Sequence, residues 1–261
     1  LSAPLDVRER SVLISEDPRV ELWAIEAGPE SAPRTIVFVH GFGGWKEQWL
    51  PQMRCFAPHA RVIALDLRGH GASDKPHSAY SVDELLGDLE VAVRKLWVKK
   101  PFVLVGHSFG AALVASYAAE HPNEIEKLVL ISPSSEYSLS TLYRWVFYAP
   151  DWLFDGVLRL LNLIRPTFLA PAYVLKALYF NGLRVWRAED VLPQIQAPTL
   201  VLRPRWDPLF PQRLVARVAK LIPNSEEIIL PGFSHVLMTA KPEAVNEALA
   251  RFLNFPPCPR P

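Results

Sequence analysis

Short apolar runs fall at residues 10–14, 20–26, 35–39, 61–65, 101–105, 126–131, 198–202 and 226–230. Segments whose apolar positions recur at helical spacing fall at 46–56, 81–97, 109–121, 211–221 and 241–253. The first kind of pattern reads as strands and the second as helices. From residue 35 onward the two kinds alternate, which predicts an α/β fold built on a parallel sheet. The alternation breaks between about Ser134 and Asp190. The expected organisation is therefore a core of residues 1–133 and 191–261, with a helical lid of residues 134–190 inserted after the sixth strand. No internal repeat or low-complexity segment interrupts this order.

The inserted region is rich in aromatic residues and leucine. Leu153 to Ile164 is apolar on more than one helical face. Pro150, Pro166 and Pro171 divide the region into short helices. Two readings stand side by side. The apolar side chains pack a lid against the core, or they line an apolar substrate pocket, since ligand sites are mostly apolar with few polar groups. Trp45, Tyr137, Trp145, Leu160 and Leu161 are the pocket candidates.

Gly106-His107-Ser108-Phe109-Gly110 lies between the strand pattern Phe102-Val103-Leu104-Val105 and the helical run Ala111 to Ala115. This is the strand–Gly-x-Ser-x-Gly–helix context in which a sharp turn presents a nucleophilic serine. Glycine on either side removes side chains that would collide within the turn. A serine needs a base, and the base needs an orienting acid. Asp207 follows the buried strand pattern Pro198–Leu202, and His235 follows the last strand pattern, Glu227–Leu230. Ser108, Asp207 and His235 each come just after a strand, where open α/β sheets place their chemistry. Asp66 and Asp74 are competing acids but precede Ser108 and read as turn residues. Of the other histidines, His40 and His107 lie within backbone-shaping motifs, and His70 reads as ordering its own loop. The backbone N–H groups of Phe42, in His40-Gly41-Phe42-Gly43-Gly44, and of Phe109 are assigned as oxyanion-hole donors.

These residues resemble the α/β-hydrolase superfamily over nearly the whole chain. His40 to Gly43 is similar to its oxyanion motif, Asp66-Leu67-Arg68-Gly69-His70-Gly71-Ala72-Ser73 to its strand-4 loop, and Gly106 to Gly110 to its elbow. The resemblance implies a mostly parallel eight-stranded sheet with helices on both faces and a helical lid after strand 6. One departure is Pro204, standing where members commonly carry glycine on the path into the acid. Ser108 argues against dehalogenases and epoxide hydrolases, which use Asp at the elbow. His107 before it is unlike the Asn usual in carbon–carbon bond hydrolases. The expected activity is that of a serine carboxylic ester hydrolase acting through an acyl-enzyme on small-to-medium apolar esters, without cofactor or metal. The alternatives are a carbon–carbon bond or lactone hydrolase, or a triad-bearing receptor with little turnover.

Composition fits this reading. Half of the 261 residues are apolar, enough for a sizeable core, and a net charge of +1 suggests no nucleic-acid partner. No apolar run reaches transmembrane length. Cys55 and Cys258 lie far apart and show no metal-ligand spacing, and no disulfide is expected between them. The chain opens Leu1-Ser2-Ala3-Pro4 with no basic stretch followed by an apolar one. A cytoplasmic monomer or homodimer is the expectation, with a removed leader as the alternative.

Overall fold

A computed structural model describes residues 5–137, 144–164 and 169–258. The apolar runs pair into one sheet of eight strands: β1 (Arg8–Glu16), β2 (Arg19–Ala27), β3 (Thr35–Val39), β4 (Arg61–Leu65), β5 (Phe102–His107), β6 (Ile125–Ile131), β7 (Thr199–Trp206) and β8 (Ser225–Phe233). Their spatial order is β1-β2-β4-β3-β5-β6-β7-β8. β2 pairs antiparallel with β1 and β4, and every other pairing is parallel. The expected α/β sheet is therefore the observed one. Strands β3, β4 and β5 are buried at every residue, which accounts for the apolar runs Ile36–Val39, Val62–Leu65 and Phe102–Val105 within them.

Because side chains alternate across a strand, the same strands feed two cores. Val37, Ile63 and Leu104 face α2 (Val82–Lys95) and α3 (Phe109–Glu120). Phe38, Val62 and Val103 face α1 (Leu50–Phe56) and the last helix, Pro242–Leu253. α3 is buried on all sides, so its Ala-, Leu- and Val-rich sequence carries no polar face. The opposite case is α2, whose N-cap Ser81 accepts a hydrogen bond from Glu84 N–H at 3.2 Å.

Between β6 and β7 the chain forms a 3₁₀ turn (Trp145–Tyr148), α4 (Asp151–Ile164), α5 (Ala172–Leu178), a π turn (Tyr179–Leu183) and α6 (Ala188–Val191). Pro150 directly precedes α4 and Pro171 caps α5, as expected of helix-breaking residues; Pro166 lies outside the described residues. The segment is fastened to the core by backbone. Leu169 N–H donates to Gly43 O at 3.0 Å, and Leu169 O accepts from Gly71 N–H at 2.9 Å. Val174 closes on Gly69, whose φ of +82° and missing Cβ both permit the approach. α7 (Gln212–Leu221), α8 (Leu237–Ala240) and α9 (Pro242–Leu253) complete the helices. No helix among the described residues is long and apolar enough to cross a membrane.

Two features correct the sequence reading. β7 does not stop at Leu202 but runs through Pro204 to Trp206. Its pairing with β6 ends at Leu202, so beyond that point only β8 lies alongside, and Pro204 pairs opposite Leu230. A proline is tolerated where one flank of the strand has no neighbour to receive an N–H. The second correction is a disulfide between Cys55 and Cys258, with Cα atoms 5.1 Å apart. Sequence separation hid it: α9 folds back onto α1, carrying the tail that follows it to Cys55. Phe255 reinforces the return, its ring tilted against Phe56 with ring centres 5.5 Å apart and lying under the Arg34 guanidinium at 4.4 Å.

The disulfide closes a loop of most of the chain, a geometry that typically stabilises by about 2–4 kcal/mol. Cys55→Ser combined with Cys258→Ser is expected to lower the unfolding free energy by that order. Paired denaturant titrations, with thiol counts on unreduced unfolded protein, check it. Two free thiols in the wild-type protein would refute the bond.

Candidate active site

Ser108 occupies the turn between β5 and α3 with φ +53° and ψ −120°. Such a conformation is rare for a residue bearing a Cβ and persists only where its surroundings enforce it. Here they do. A Cβ on Gly106 would lie 2.4 Å from Gly110 O, and one on Gly110 would lie 2.3 Å from His40 O. Ser108 N–H donates to Ile131 O at 2.9 Å, and Ser108 O accepts from the Tyr137 hydroxyl at 2.6 Å. The turn is thus held from β6 on one side and from Tyr137 on the other.

The three side chains singled out in sequence meet. Ser108 Oγ donates to His235 Nε2 at 2.8 Å, and His235 Nδ1–H donates to Asp207 Oδ2 at 2.7 Å. Asp207 Oδ1 accepts from the backbone N–H groups of Leu209 and Phe210 at 2.8 and 3.1 Å. The Asp207 side chain is wholly buried, and Ser108 and His235 are nearly so. Burial works to raise the Asp207 pKa. The His235 hydrogen bond and charge, with the two backbone donors, outweigh it and hold the carboxyl below its ordinary value. The extension of β7 through Pro204 delivers Asp207 directly to the end of the strand.

The Gly-rich loop after β3 passes beside the serine. A Cβ on Gly41 would meet Ser108 Cβ at 2.9 Å and His107 O at 2.8 Å. Phe42 N–H and Phe109 N–H make no backbone hydrogen bond among the described residues, and both lie next to this contact in the chain. Two imidazoles hold the loop. His40 Nδ1–H donates to Gly41 O at 2.8 Å, and His40 Nε2 accepts from Leu67 N–H at 3.0 Å. His70 Nδ1–H donates to Arg68 O at 2.9 Å, and His70 Nε2 accepts from Gly43 N–H at 3.1 Å. Each ring donates once and accepts once, which only a neutral imidazole can do. Burial, then the neighbouring His40, lowers the His70 pKa to about 3, and burial lowers that of His40.

His107 has a role that the sequence did not disclose. Its Nε2–H donates to His235 O at 3.0 Å and so fixes the loop that carries His235. Burial and the adjacent His235 lower its pKa to about 3. Phe210 packs against the His235 ring at 5.4 Å and against Tyr137 at 5.5 Å. No sequence signal marks these partners, because each contact joins segments distant in the chain.

The pocket candidates divide. Tyr137 is buried and bolts the turn at Ser108; Trp45 is half-buried beside the Gly-rich loop after β3. Trp145, Leu160 and Leu161 are 67%, 62% and 41% exposed, so they stand at the surface and do not line a closed pocket. α4 turns Phe154 and Leu158 inward instead. An aromatic wall beside that Gly-rich loop comes from Phe147, whose ring meets Phe42 at 5.8 Å, Phe154 at 5.4 Å and Tyr179 at 4.2 Å. A separate concavity of about 1270 Å³ between α1, α9 and the tail touches none of the three triad residues. Among the described residues one grouping has metal-ligand character: Glu90, Glu120 and His121, on α2 and at the far end of α3.

A family model described as alpha/beta hydrolase fold matches residues 34–166, and one described as TAP-like protein matches residues 184–261. The chain belongs to the alpha/beta hydrolase fold family. It is 30% identical over 271 residues to the bifunctional esterase/perhydrolase DCH of Acinetobacter calcoaceticus, covering 90% of this chain and 96% of the relative. It is 28% identical to epoxide hydrolase 3 of Mus musculus, covering 90% and 74%. Among solved structures, a thermophilic esterase from Thermogutta terrifontis superposes with a TM-score of 0.80 at 22% identity, covering 95% of this chain and 98% of that one. This alpha/beta hydrolase is thus a hydrolase by kinship, on the fold that its sequence resembled.

The neutral histidines make the site acid-sensitive. Unfolded, each imidazole takes up a proton near the ordinary pKa of about 6.5. Folded, His70 and His107 resist protonation until about pH 3. Between these values the unfolded chain binds more protons, so stability falls as pH is lowered through that window. Urea titrations at neutral and mildly acidic pH are expected to show the loss, and His70→Gln to reduce it. Stability that stays level across the window would contradict the neutral-imidazole assignment.

Proposed function

We propose that this hydrolase cleaves carboxylic esters through an acyl-serine intermediate. The observation that carries the reading is the continuous hydrogen-bond chain from Ser108 Oγ through His235 to Asp207. Ser108 Oγ attacks the ester carbonyl carbon while His235 Nε2 takes its proton. The carbonyl oxygen becomes an oxyanion, received by the N–H groups of Phe42 and Phe109. The tetrahedral intermediate collapses, the ester C–O bond breaks, and His235 returns the proton to the departing alcohol. Water then attacks the acyl-enzyme, again giving its proton to His235, and the acid is released as Ser108 regains its hydrogen. Asp207 holds the Nδ1–H tautomer and balances the imidazolium that forms in each half-reaction.

Three further observations support the reading. The elbow residue is serine, which suits acyl transfer. The relative that is 30% identical is named as an esterase and perhydrolase. The ring of Phe147 set against Phe42 offers an apolar surface beside the proposed oxyanion site, suited to an apolar acyl or alcohol group. We further propose that residues 134–190 act as a lid over this surface, on the evidence of the Leu169 backbone bonds to Gly43 and Gly71.

Ser108→Ala is expected to reduce kcat for p-nitrophenyl esters by about 10⁶-fold, as loss of a triad nucleophile does elsewhere. Asp207→Asn, which leaves the geometry but not the tautomer, should cost on the order of 10⁴-fold. Steady-state kinetics on both variants measure this, and a Ser108→Ala enzyme with a tenth of wild-type activity would end the assignment.

Substrate preference follows from the aromatic wall. Each buried methylene is worth up to about 0.8 kcal/mol, or at most a fourfold rise in kcat/KM per carbon. A series from acetate to palmitate esters should therefore climb and then level off, and Phe147→Leu should flatten the climb. If acetate is the best substrate, the wall only packs.

A further inference from the structure

α4 carries more apolar surface than the fold covers. Its polar residues, Asp151, Asp155, Arg159 and Asn162, fall on one narrow arc of the helix, as the 100° step per residue requires. Phe154 and Leu158 turn into the core. The remaining apolar arc faces outward, with Trp152 75% exposed and Leu163 83% exposed, beside Leu160. A helix of a globular protein normally spends its apolar stripe on the core, and contiguous exposed apolar surface of this kind marks an interaction face. Trp145 and Tyr148, in the turn just before α4, are exposed as well.

A second observation places this face at one end of the molecule. The carboxyl ends of β7 and β8 expose Trp206 and Phe233, which pair across the two strands. The turn before α4 reaches the same end of the sheet, since Phe147 packs on Phe42 just after β3.

Charge selects the occupant. Arg144, Arg159 and Arg205 are exposed and make no ion pair among the described residues. The two carboxylates between residues 144 and 187 are both engaged, Asp151 by Lys176 and Asp155 by the Ala172 N–H. The apolar face is therefore bordered by Arg159 on its own helix and Arg144 just before the turn that leads into it, neither paired with a carboxylate among the described residues. A second copy of the chain would set these arginines against themselves in a two-fold pairing. An anionic lipid surface satisfies both features. Leu and Trp enter the acyl boundary, Tyr and Trp sit at headgroup level, and arginines extend to the phosphates.

We propose that the outer face of α4, with the aromatic residues around it, docks the protein onto anionic lipid bilayers. The proposal does not depend on the ester-hydrolase reading, because binding is measurable without turnover. The experiment is vesicle co-sedimentation with the Ser108→Ala protein, so that no lipid is consumed. Vesicles are phosphatidylcholine alone or phosphatidylcholine mixed with phosphatidylglycerol, at low and high salt. Binding is expected to the mixed vesicles, weakening with salt and by about fivefold for Arg159→Gln, the effect of one basic residue near such a surface. Leu160→Ser with Leu163→Ser should abolish binding. On the Ser108-containing protein the same pair should leave turnover of a soluble short-chain ester and the melting temperature unchanged. Equal binding to both vesicle types, absence of binding, or a dimer in light scattering that the leucine changes dissolve would each overturn the proposal.

Discussion

Everything at the site rests on how closely three pieces of backbone approach one another. Gly106 and Gly110 let the turn at Ser108 close against itself and against His40 O, at separations that no Cβ would allow. The strained φ of Ser108 costs of order 1–3 kcal/mol. The compensation comes from α3, which is buried on every side between the sheet and its neighbours and cannot shift without exposing apolar surface. The first N–H groups of that helix are thereby held at the carboxyl edge of β5. Strain, packing and the placement of the Ser108 hydroxyl are one arrangement.

The Gly-rich loop after β3 is secured by polar groups instead. Asp66 accepts from Lys46 N–H at 2.7 Å, from Lys46 Nζ at 2.9 Å and from Ala72 N–H at 2.9 Å, all through a fully buried carboxylate. Gly71 has no room for a Cβ, which would fall 2.2 Å from Asp66 Oδ2. His40 and His70 then join the loops after β3 and β4. Buried pairs of this sort contribute little net stability over apolar packing, but they admit one arrangement of partners. The loop beside Ser108 is thus defined by direction-dependent bonds.

Much of this was legible from residue order. β3 and β4 fall where their apolar runs do, because strands buried on both faces carry four successive apolar residues, Ile36–Val39 and Val62–Leu65, that no alternating pattern interrupts. Ser108, Asp207 and His235 were found because each follows a strand in a parallel sheet. What escaped was information carried by distant pairs. His107 is defined by a carbonyl at His235, and Tyr137 by one at Ser108. The periodicity of α4 identified an apolar arc but not which part of it the core would cover. Leu160 and Leu161 accordingly read as pocket residues and stand at the surface. Pro204 marked a departure from pattern, and only the absence of a β6 partner beyond Leu202 explains why the strand continues through it.

The Cys55–Cys258 bond bears on where such a chain can mature. Glutathione and thioredoxin keep most cytosolic thiols reduced, and lasting disulfides are found mainly in oxidising compartments and in the cytosol of heat-adapted organisms. Closure of the Cys55–Cys258 bond records that α9 has already found α1, so oxidation acts as a seal on a contact that packing has already made.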